Sequence, residues 1–307
     1  LRELGPRLRY ANWKVTAIVE TDNWRQPDGP PRLIDLVSGA DTLVRPYGVA
    51  IDIGTTTVTI YLVDLVSGEA VDQAAEYNGQ IARGEDVISR IIYASRNGGL
   101  GEMTDLVRKT INEVIDRLCQ RQHVERRQIC KATVAGNSTM MHLALGLPPA
   151  SIRLAPYITT INQPAPVLAH EIGLEIHPLA AVDCLPGVAS YVGADITAGA
   201  LAAGLPEAEQ LTLFIDVGTN GEMVLGNKDW LVTCACSAGP AFEGAGVVCG
   251  MRATRGAIEE VWINGQTFEP TYRVIGDTKP KGICGSGLIS LVAELFITGV
   301  VDKGGNF

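Results

Sequence analysis

The chain has 307 residues, of which 46% are hydrophobic and 19% are charged, and its formal net charge is -9. This composition supports a large buried core and argues against intrinsic disorder, and the acidic balance argues against a nucleic-acid partner. No apolar run approaches the roughly 18–20 residues of a membrane span, so we expect no membrane partner. The 7 cysteines are scattered without a C-x-x-C pair, which favours a reducing, cytoplasmic location and argues against a metal cluster held by this chain alone.

Residues 1–47 contain two strand-like segments, WKVTAIVE and RLIDLVSG, with a turn-rich stretch between them. Two short strands are too few to form a hydrophobic core of their own. We therefore predict that residues 1–47 are a short β-rich linker or the end of an upstream domain.

From Tyr47 onward the pattern is that of an α/β protein. YGVAIDIG and TVTIYLVDLVSGEAVDQAAEYN predict a strand, a turn, a strand, a hairpin and a strand, and ISRIIYASRNGG and MTDLVRKTINEVIDRLCQRQ have apolar residues at helical spacing. QICKATVAGNSTMMHLALGL predicts a strand, a tight turn and a helix, and ADITAGALAAGL predicts a helix of small residues. LTLFIDVGTNGEMVLGNKDWLVTCAC repeats the first strand pattern, and GICGSGLISLVAELFITG predicts a glycine-rich turn that opens an apolar helix.

Two turns of this pattern have nearly the same sequence. Residues 51–55 read IDIGT and residues 215–219 read IDVGT, and each follows an apolar strand and precedes a strand that turns back through a hairpin. Two copies of one supersecondary unit predict two similar lobes that face each other.

The repeated turns have the chemistry of a nucleotide-phosphate site. Gly54 and Gly218 let the backbone approach a phosphate, and turn amides and threonine hydroxyls donate to it. Asp52 and Asp216 would repel a phosphate unless they hold Mg²⁺ or orient an attacking water, so we predict catalytic and metal-binding roles for both. The alternative is that D-x-G-T is only a favourable hairpin turn. The predicted phosphate-binding residues are Gly54, Thr55, Thr56, Thr57, Gly218, Thr219, Asn220 and Gly221.

The two turns resemble the phosphate loops of the superfamily that contains actin, hexokinase and the seventy-kilodalton heat-shock chaperones. TVAGNSTMMHL resembles the first connecting motif of that superfamily, which would place Gly136 and Asn137 at a hinge and in contact with the nucleotide. Gly285 and Ser286, in the later glycine-rich turn, are further candidate nucleotide-binding residues. The resemblance implies an α/β fold with duplicated ribonuclease H-like lobes, as in actin-like ATPases. We predict a linker at 1–47, a first lobe at 48–195 and an incomplete second lobe at 196–307.

One branch of the superfamily resembles the chain more closely. AGNSTMMHL and AGPAFEGA are similar to the ATP-dependent reductive activators of corrinoid proteins, and the resemblance runs from Tyr47 to the end of the sequence. It implies an ATPase that binds ATP and Mg²⁺ and drives the reduction of Co(II) to Co(I) in a corrinoid partner. That partner is either a methyltransferase component or a corrinoid iron–sulfur protein, and a homodimer is left open.

The family also has a [2Fe–2S] domain that supplies the electron and a late glycine-rich loop that contacts adenosine. The sequence shows neither the ligand spacing of the cluster nor the late loop. We therefore expect a fragment of a longer protein, in which this chain binds no cluster.

Two more acids are candidate metal ligands. Glu222 follows the second phosphate turn and is expected either to reach Mg²⁺ through water or to be an ordinary strand residue. Asp195 begins a helix, where an N-cap role would explain it, and a contact to metal-bound water is the alternative.

Several other residues favour structural roles over chemistry. Cys284 lies at a predicted helix N-terminus, where a thiolate would be stabilised, but a buried inert thiol is favoured. Cys234 and Cys236 share one face of a strand, and a buried pair is favoured over joint metal binding. His142 lies on an apolar helix and is expected to be a satisfied core residue. The segment Ala238–Ala245 is either an interaction surface or a crossover between subdomains.

Two other functions remain alternatives to corrinoid activation. A small-molecule kinase of the sugar-kinase type would need an acid placed as a base toward a bound hydroxyl, and no obvious cluster of sugar-binding side chains lies between the turns. A chaperone-like ATPase without a redox role would need a peptide-binding β-domain after the second lobe.

Overall fold

A computed structural model describes residues 4–21, 29–39, 45–218, 220–236 and 247–306. The chain divides into two compact units, Leu1–Glu207 and Ala208–Phe307. The predicted boundary between lobes, after residue 195, falls inside the helix Ala194–Ala202 of the first unit, and the lobe boundaries stay a prediction. None of the helices in the described ranges is long and apolar enough to cross a membrane.

The first unit begins with a helix and a hairpin. Helix α1 (Leu4–Tyr10) was not predicted, because its sequence is short and contains glycine and proline, which weaken a helical signal. Strands β1 (Val15–Glu20) and β2 (Arg32–Ser38) lie in the two segments predicted as strands, and they pair antiparallel.

Buried charges attach the hairpin to the rest of the first unit. The buried carboxylate of Glu20 lies 2.7 Å from Nη2 of Arg32 and 3.0 Å from Nζ of Lys131. Lys131 also pairs with Asp183 at 2.6 Å, and Nη1 of Arg32 donates to the carbonyl of Leu179 at 2.6 Å. The hairpin therefore packs on the sheet that follows it.

A six-stranded sheet forms the centre of the first unit. Its first three strands make an antiparallel meander, and the next long strand lies parallel to the first of them. This arrangement is that of a ribonuclease H-like lobe, as predicted. The strands are β3 (Tyr47–Ile53), β4 (Thr57–Asp64), β5 (Ala70–Tyr77), β6 (Ile129–Gly136), β7 (Val167–Leu168) and β8 (Ala181–Cys184), in the order β5-β4-β3-β6-β8-β7.

The helices of the first unit cover this sheet. The longest, α3, packs against β4 and β5 through apolar residues at helical spacing, among them Met103, Val107 and Ile111. These side chains meet the buried alternate residues of β3 and β4, which places the core between α3 and the sheet. The helices are α2 (Val87–Ala94), α3 (Gly99–Gln122), α4 (Ser138–Leu145) and α5 (Ala194–Ala202), with short 3₁₀ helices at Gly79–Arg83, Arg126–Gln128, Ala150–Arg153, Ala169–Ile172 and Leu205–Glu207.

The second unit contains two small sheets and a helix. The first sheet is a meander of β9 (Thr212–Val217), β10 (Gly221–Asn227) and β11 (Trp230–Cys236), with β10 in the centre. The second has the order β13-β12-β14, and α6 (Gly285–Ile297) packs on its central strand. Its strands are β12 (Ala257–Ile263), β13 (Pro270–Val274) and β14 (Gly282–Ile283), none of which was predicted.

The predicted internal repeat is present as structure. The meander β3–β4–β5 of the first unit has its counterpart in β9–β10–β11 of the second, and each has its second strand in the middle. In each copy the D-x-G-T sequence lies at the turn between the first two strands. The two halves of the chain therefore share one supersecondary unit.

Candidate functional site

The first predicted phosphate turn, residues 54–57, leaves little room for a side chain at Gly54. The amide of Gly54 donates to the carbonyl of Thr57 at 2.9 Å, which closes the turn. A Cβ atom on Gly54 would lie 2.6 Å from that same carbonyl oxygen. In the second turn the amide of Gly218 donates to the carbonyl of Asn220 at 2.8 Å, but a Cβ on Gly218 would meet nothing within 4 Å.

Buried donors hold three successive carbonyls of the first turn. Nδ2 of Asn78 donates to the carbonyl of Gly54 at 2.9 Å, and the Asn78 amide donates to the carbonyl of Thr56 at 2.9 Å. Nη2 of Arg90 donates to the carbonyl of Thr55 at 2.5 Å. Both side chains are fully buried, so the turn is fixed from the core side.

This anchoring determines where the amides of the turn point. The peptide bonds are trans, and in a trans peptide the carbonyl and the following amide point in opposite directions. The amides of residues 55–57 are therefore directed away from the buried donors. Backbone amides that face away from the core side are donors that a phosphate can use.

The predicted connecting motif lies beside the first turn. Strand β6 runs parallel to β3 and pairs Gly136 with Ile53, so both strands end at the same edge of the sheet. Asn137 caps helix α4, because its Oδ1 accepts from the amide of Met140 at 3.0 Å. Its Nδ2 donates to Oγ1 of Thr55 at 3.0 Å. The structure thus brings together the predicted residues of the first turn and of this motif.

The two predicted catalytic aspartates have different neighbours. Asp52 is exposed and lies opposite Thr59 on β4. Asp216 is half-buried and lies directly opposite Glu222 on β10. Directly opposed residues have Cβ atoms about 4.5–5.5 Å apart on one face of a sheet, so the second pair places two carboxylates together.

Two carboxylates on one face of a sheet are ligands that a divalent cation can share. The described residues contain no group of three or more His, Cys, Asp or Glu side chains arranged to hold a metal. Mg²⁺ is usually bound through one or two carboxylates, with water and substrate phosphates as its other ligands. The chemistry of this pair therefore fits Mg²⁺ bound together with a nucleotide.

Asp195 is not the N-cap that the sequence suggested. Helix α5 begins at Ala194 and its N-cap is Gly193, so Asp195 lies within the first turn. There its Oδ1 accepts from the amide of Ile196 at 2.9 Å, and a carboxylate in this position is favoured by the helix dipole. Its contact to metal-bound water stays a prediction.

The structure confirms the prediction that Cys284, in the turn before α6, is a buried thiol. Cys284 is the N-cap residue of the helix and is fully buried, with its Sγ donating to the carbonyl of Ile258 at 3.2 Å. Sγ also lies 3.2 Å from Oγ of Ser286, so that hydroxyl already has a partner within the turn. Nucleotide binding by Gly285 and Ser286 stays a prediction.

The interpretation of Cys234 and Cys236 as a buried pair is wrong. Both lie on β11 as predicted, but both are exposed. Strand β11 is the outer strand of its sheet, and burial of an outer strand requires a covering element that a local sequence pattern does not reveal.

His142 is the satisfied core residue that the sequence indicated. It is buried in α4, its Nδ1 lies 2.6 Å from the carbonyl of Ser138, and its Nε2 accepts from the amide of Thr160 at 3.0 Å. Burial lowers the pKa of His142, although the hydrogen bond to Ser138 opposes this shift. The ring is therefore neutral and structural.

Two other predictions, for Thr219 and for the segment Ala238–Ala245, lie outside the described residues.

Three buried residues behind the first turn were not predicted from the sequence: Asn78, Gln80 and Arg90. They lie between β5 and the middle of α2, in the sequence NGQIARGEDVISR. An arginine among the apolar residues of a short helix was the available signal, because a buried charge requires specific partners.

Comparisons with known proteins cover the whole described fold. A family model described as "RACo middle region" matches residues 47–208, and one described as "C-terminal domain of RACo the ASKHA domain" matches residues 210–307. A solved structure titled "Reductive activator for corrinoid,iron-sulfur protein" has a TM-score of 0.82 and 49% identity, and the match covers 100% of this chain and 48% of that one.

Two characterised relatives match by sequence. The "Corrinoid activation enzyme RamQ" of Eubacterium limosum is 41% identical over 278 residues, which is 90% of this chain and 46% of the relative. The "[Co(II) methylated amine-specific corrinoid protein] reductase" of Methanosarcina barkeri is 27% identical over 289 residues, which is 84% of this chain and 52% of the relative. The chain thus spans about half the length of the relatives it matches.

Proposed function

The chain belongs to the RACo family of reductive activators of corrinoid proteins, and from this premise we propose that it is the ATP-binding part of such an activator. The complete protein binds and hydrolyses ATP to drive the one-electron reduction of Co(II) to Co(I) in a corrinoid protein. The electron would come from a [2Fe–2S] cluster held outside the residues of this chain.

The observation that carries this proposal is the anchoring of the first phosphate turn. Three of its carbonyls are held by buried donors, and the amides of residues 55–57 are directed to the opposite side. Asn137 adds a hydrogen bond to Thr55 that fixes a hydroxyl of the same turn. These contacts satisfy carbonyls that face the core, and they also hold the turn amides in place before a phosphate binds, which favours affinity.

We propose that Asp216 and Glu222 of the second unit hold Mg²⁺, directly or through its waters, and that Asp52 has a metal-binding role in the first unit. Bound Mg²⁺ supplies neutralisation of the phosphate charge. Asp216 and Glu222 are adjacent across β9 and β10, which supports their acting as one acidic pair.

The reduction of Co(II) to Co(I) is unfavourable, so ATP has to change an equilibrium. A ligand shifts an equilibrium only by the difference between its affinities for the two states. In this proposal ATP binds more tightly to the state of the activator that favours the reduced corrinoid protein. The partner is a corrinoid protein, either a methyltransferase component or a corrinoid iron–sulfur protein.

The test begins with calorimetric titration of the complete protein with Mg-ATP. Asp216→Ala is expected to abolish binding, whereas Asp229→Ala, which changes an exposed aspartate in the hairpin between β10 and β11, is expected to leave it unchanged. Formation of Co(I) in a corrinoid protein of the same organism, followed by its absorption spectrum, is then expected to require ATP and Asp216. A complete protein, cluster included, that neither bound nor reduced any such corrinoid protein would contradict the proposal.

A further inference from the structure

Arg90 connects three segments of the first unit from a fully buried position. Its Nη2 donates to the carbonyl of Thr55 in the phosphate turn at 2.5 Å, and its Nε donates to the carbonyl of Gly84 at 2.9 Å. Its Nη1 lies 3.2 Å from Oε1 of Gln80 and 3.2 Å from Sδ of Met140 in helix α4. The guanidinium therefore fixes the turn relative to both the segment after β5 and the connecting-motif helix.

The charge of Arg90 is not balanced by an ion pair within the described residues. Its four acceptors are two main-chain carbonyls, an amide oxygen and a thioether, all of them neutral. Asp86 acts on it only through its field, because that carboxylate caps α2 by accepting from the amide of Ser89. Other arginines of the unit, such as Arg121 beside Asp72, lie in ion pairs near the surface.

A buried cation without a counter-ion does not favour the stability of the folded state. Desolvation of the charge costs free energy that neutral acceptors offset only in part. Burial lowers the pKa of Arg90 to about 10, so the guanidinium still carries its charge at neutral pH. An anion bound on the opposite side of the turn would offset part of the desolvation free energy of the Arg90 charge.

We propose that Arg90 is a positioning residue of the nucleotide site, which holds the first phosphate turn in its anion-binding shape and places a fixed positive charge behind it. The inference rests on the proposed binding of ATP. Arg90 acts through the Thr55 peptide, whose carbonyl it binds and whose following amide it thereby directs outward. Asn78 likewise donates to the carbonyls of the two neighbouring peptides, at Gly54 and Thr56, but it adds no charge.

Arg90→Met and Arg90→Lys test this role in the complete protein. Methionine keeps much of the length but removes the charge and all donors, and lysine keeps the charge with fewer donors. Arg121→Met is the matched control, because it removes a half-exposed arginine of the same unit. Circular dichroism and thermal unfolding establish that each variant is folded, and calorimetry gives the affinities for Mg-ATP, Mg-ADP and AMP.

We expect Arg90→Met to weaken Mg-ATP binding by about tenfold or more, as for the loss of a charge-assisted contact. The loss should be largest for Mg-ATP and smallest for AMP, and Arg90→Lys should recover part of it. A folded Arg90→Met protein with wild-type affinity would overturn the inference. An equal loss for all three nucleotides, or an Arg90→Lys protein no better than Arg90→Met, would do the same.

The wild type separates this inference from the proposed function. If the wild type binds Mg-ATP and the Arg90 variants bind it equally well, only the role of Arg90 is refuted. If the wild type with its full chain binds no Mg-ATP, the proposed function fails and the role of Arg90 fails with it. If Arg90→Met does not fold, the affinities of Arg90→Lys for Mg-ATP, Mg-ADP and AMP test the inference in the same way.

Discussion

Asn137 joins a helix and a phosphate turn through the two ends of one amide group. Its Oδ1 caps α4 at the amide of Met140, and its Nδ2 donates to Oγ1 of Thr55, both at 3.0 Å. Serine at this position keeps an oxygen for the cap but is too short to reach Thr55. Alanine removes both contacts. The pair of variants therefore separates the structural from the functional hydrogen bond.

The magnitudes follow from the two contacts. Serine is as good an N-cap as asparagine, whereas alanine at an N-cap costs about 0.5–2 kcal/mol of the free energy of unfolding. For a unit of this size each kcal/mol lowers Tm by about 2–4 °C. The lost donor to Thr55 is common to both variants and is worth about 0.5–1.5 kcal/mol, which corresponds to a roughly two- to twelvefold weaker affinity for Mg-ATP.

Thermal unfolding and calorimetric titration with Mg-ATP measure the two effects on the same samples. Asn137→Ala should unfold at a lower temperature than Asn137→Ser, and both should bind Mg-ATP more weakly than the wild type by a similar factor. Wild-type affinity in Asn137→Ser would refute the link between this side chain and the phosphate turn. Equal Tm values for the two variants would refute the capping role.

Two further predictions concern the turn glycine and the buried charges. Gly54→Ala should lower the free energy of unfolding by about 1–3 kcal/mol, because its Cβ meets the carbonyl of Thr57, whereas the matched Gly218→Ala should change it by less than about 0.5 kcal/mol. Urea unfolding of both variants measures this, and equal losses would contradict the steric argument. Lys131→Met should cost about 1–3 kcal/mol at neutral pH, because it leaves Glu20 with one cation in a buried site. Burial raises the pKa of Glu20, but hydrogen bonds from its two cations outweigh this and lower the pKa overall, so its contribution is complete above about pH 4.5 and is lost as pH falls through the folded-state pKa. Urea unfolding from pH 7 to pH 3 should therefore show the wild type approaching Lys131→Met in stability, and a constant difference would count against the pair.

The sequence predicted those parts of the fold that depend on local periodicity. Helix α3 and the meander β3–β5 were predicted because their buried residues recur at helical and alternating spacing. The repeat of the D-x-G-T turns was also visible without a structure. The exposure of Cys234 and Cys236 was not, because the position of β11 at the edge of its sheet depends on strand order.

The anchoring of the first turn could not be predicted for a related reason. Arg90 lies 35 residues after Thr55, and only the fold brings its guanidinium under the turn. A local pattern shows an arginine in an apolar helix but not the carbonyl that it binds. The residues that could not be predicted are thus those, such as Arg90, that lie outside the motif and contact it from the core side.

The two phosphate turns have nearly the same sequence but offer different chemistry. In the first copy Asp52 lies opposite Thr59 across the hairpin, and buried donors from residues 78 and 90 hold the turn carbonyls. In the second copy Asp216 faces Glu222, so the corresponding position carries a second carboxylate. Oriented amides suit an anion, whereas paired carboxylates suit a divalent cation, so the two copies of the turn are suited to different ligands.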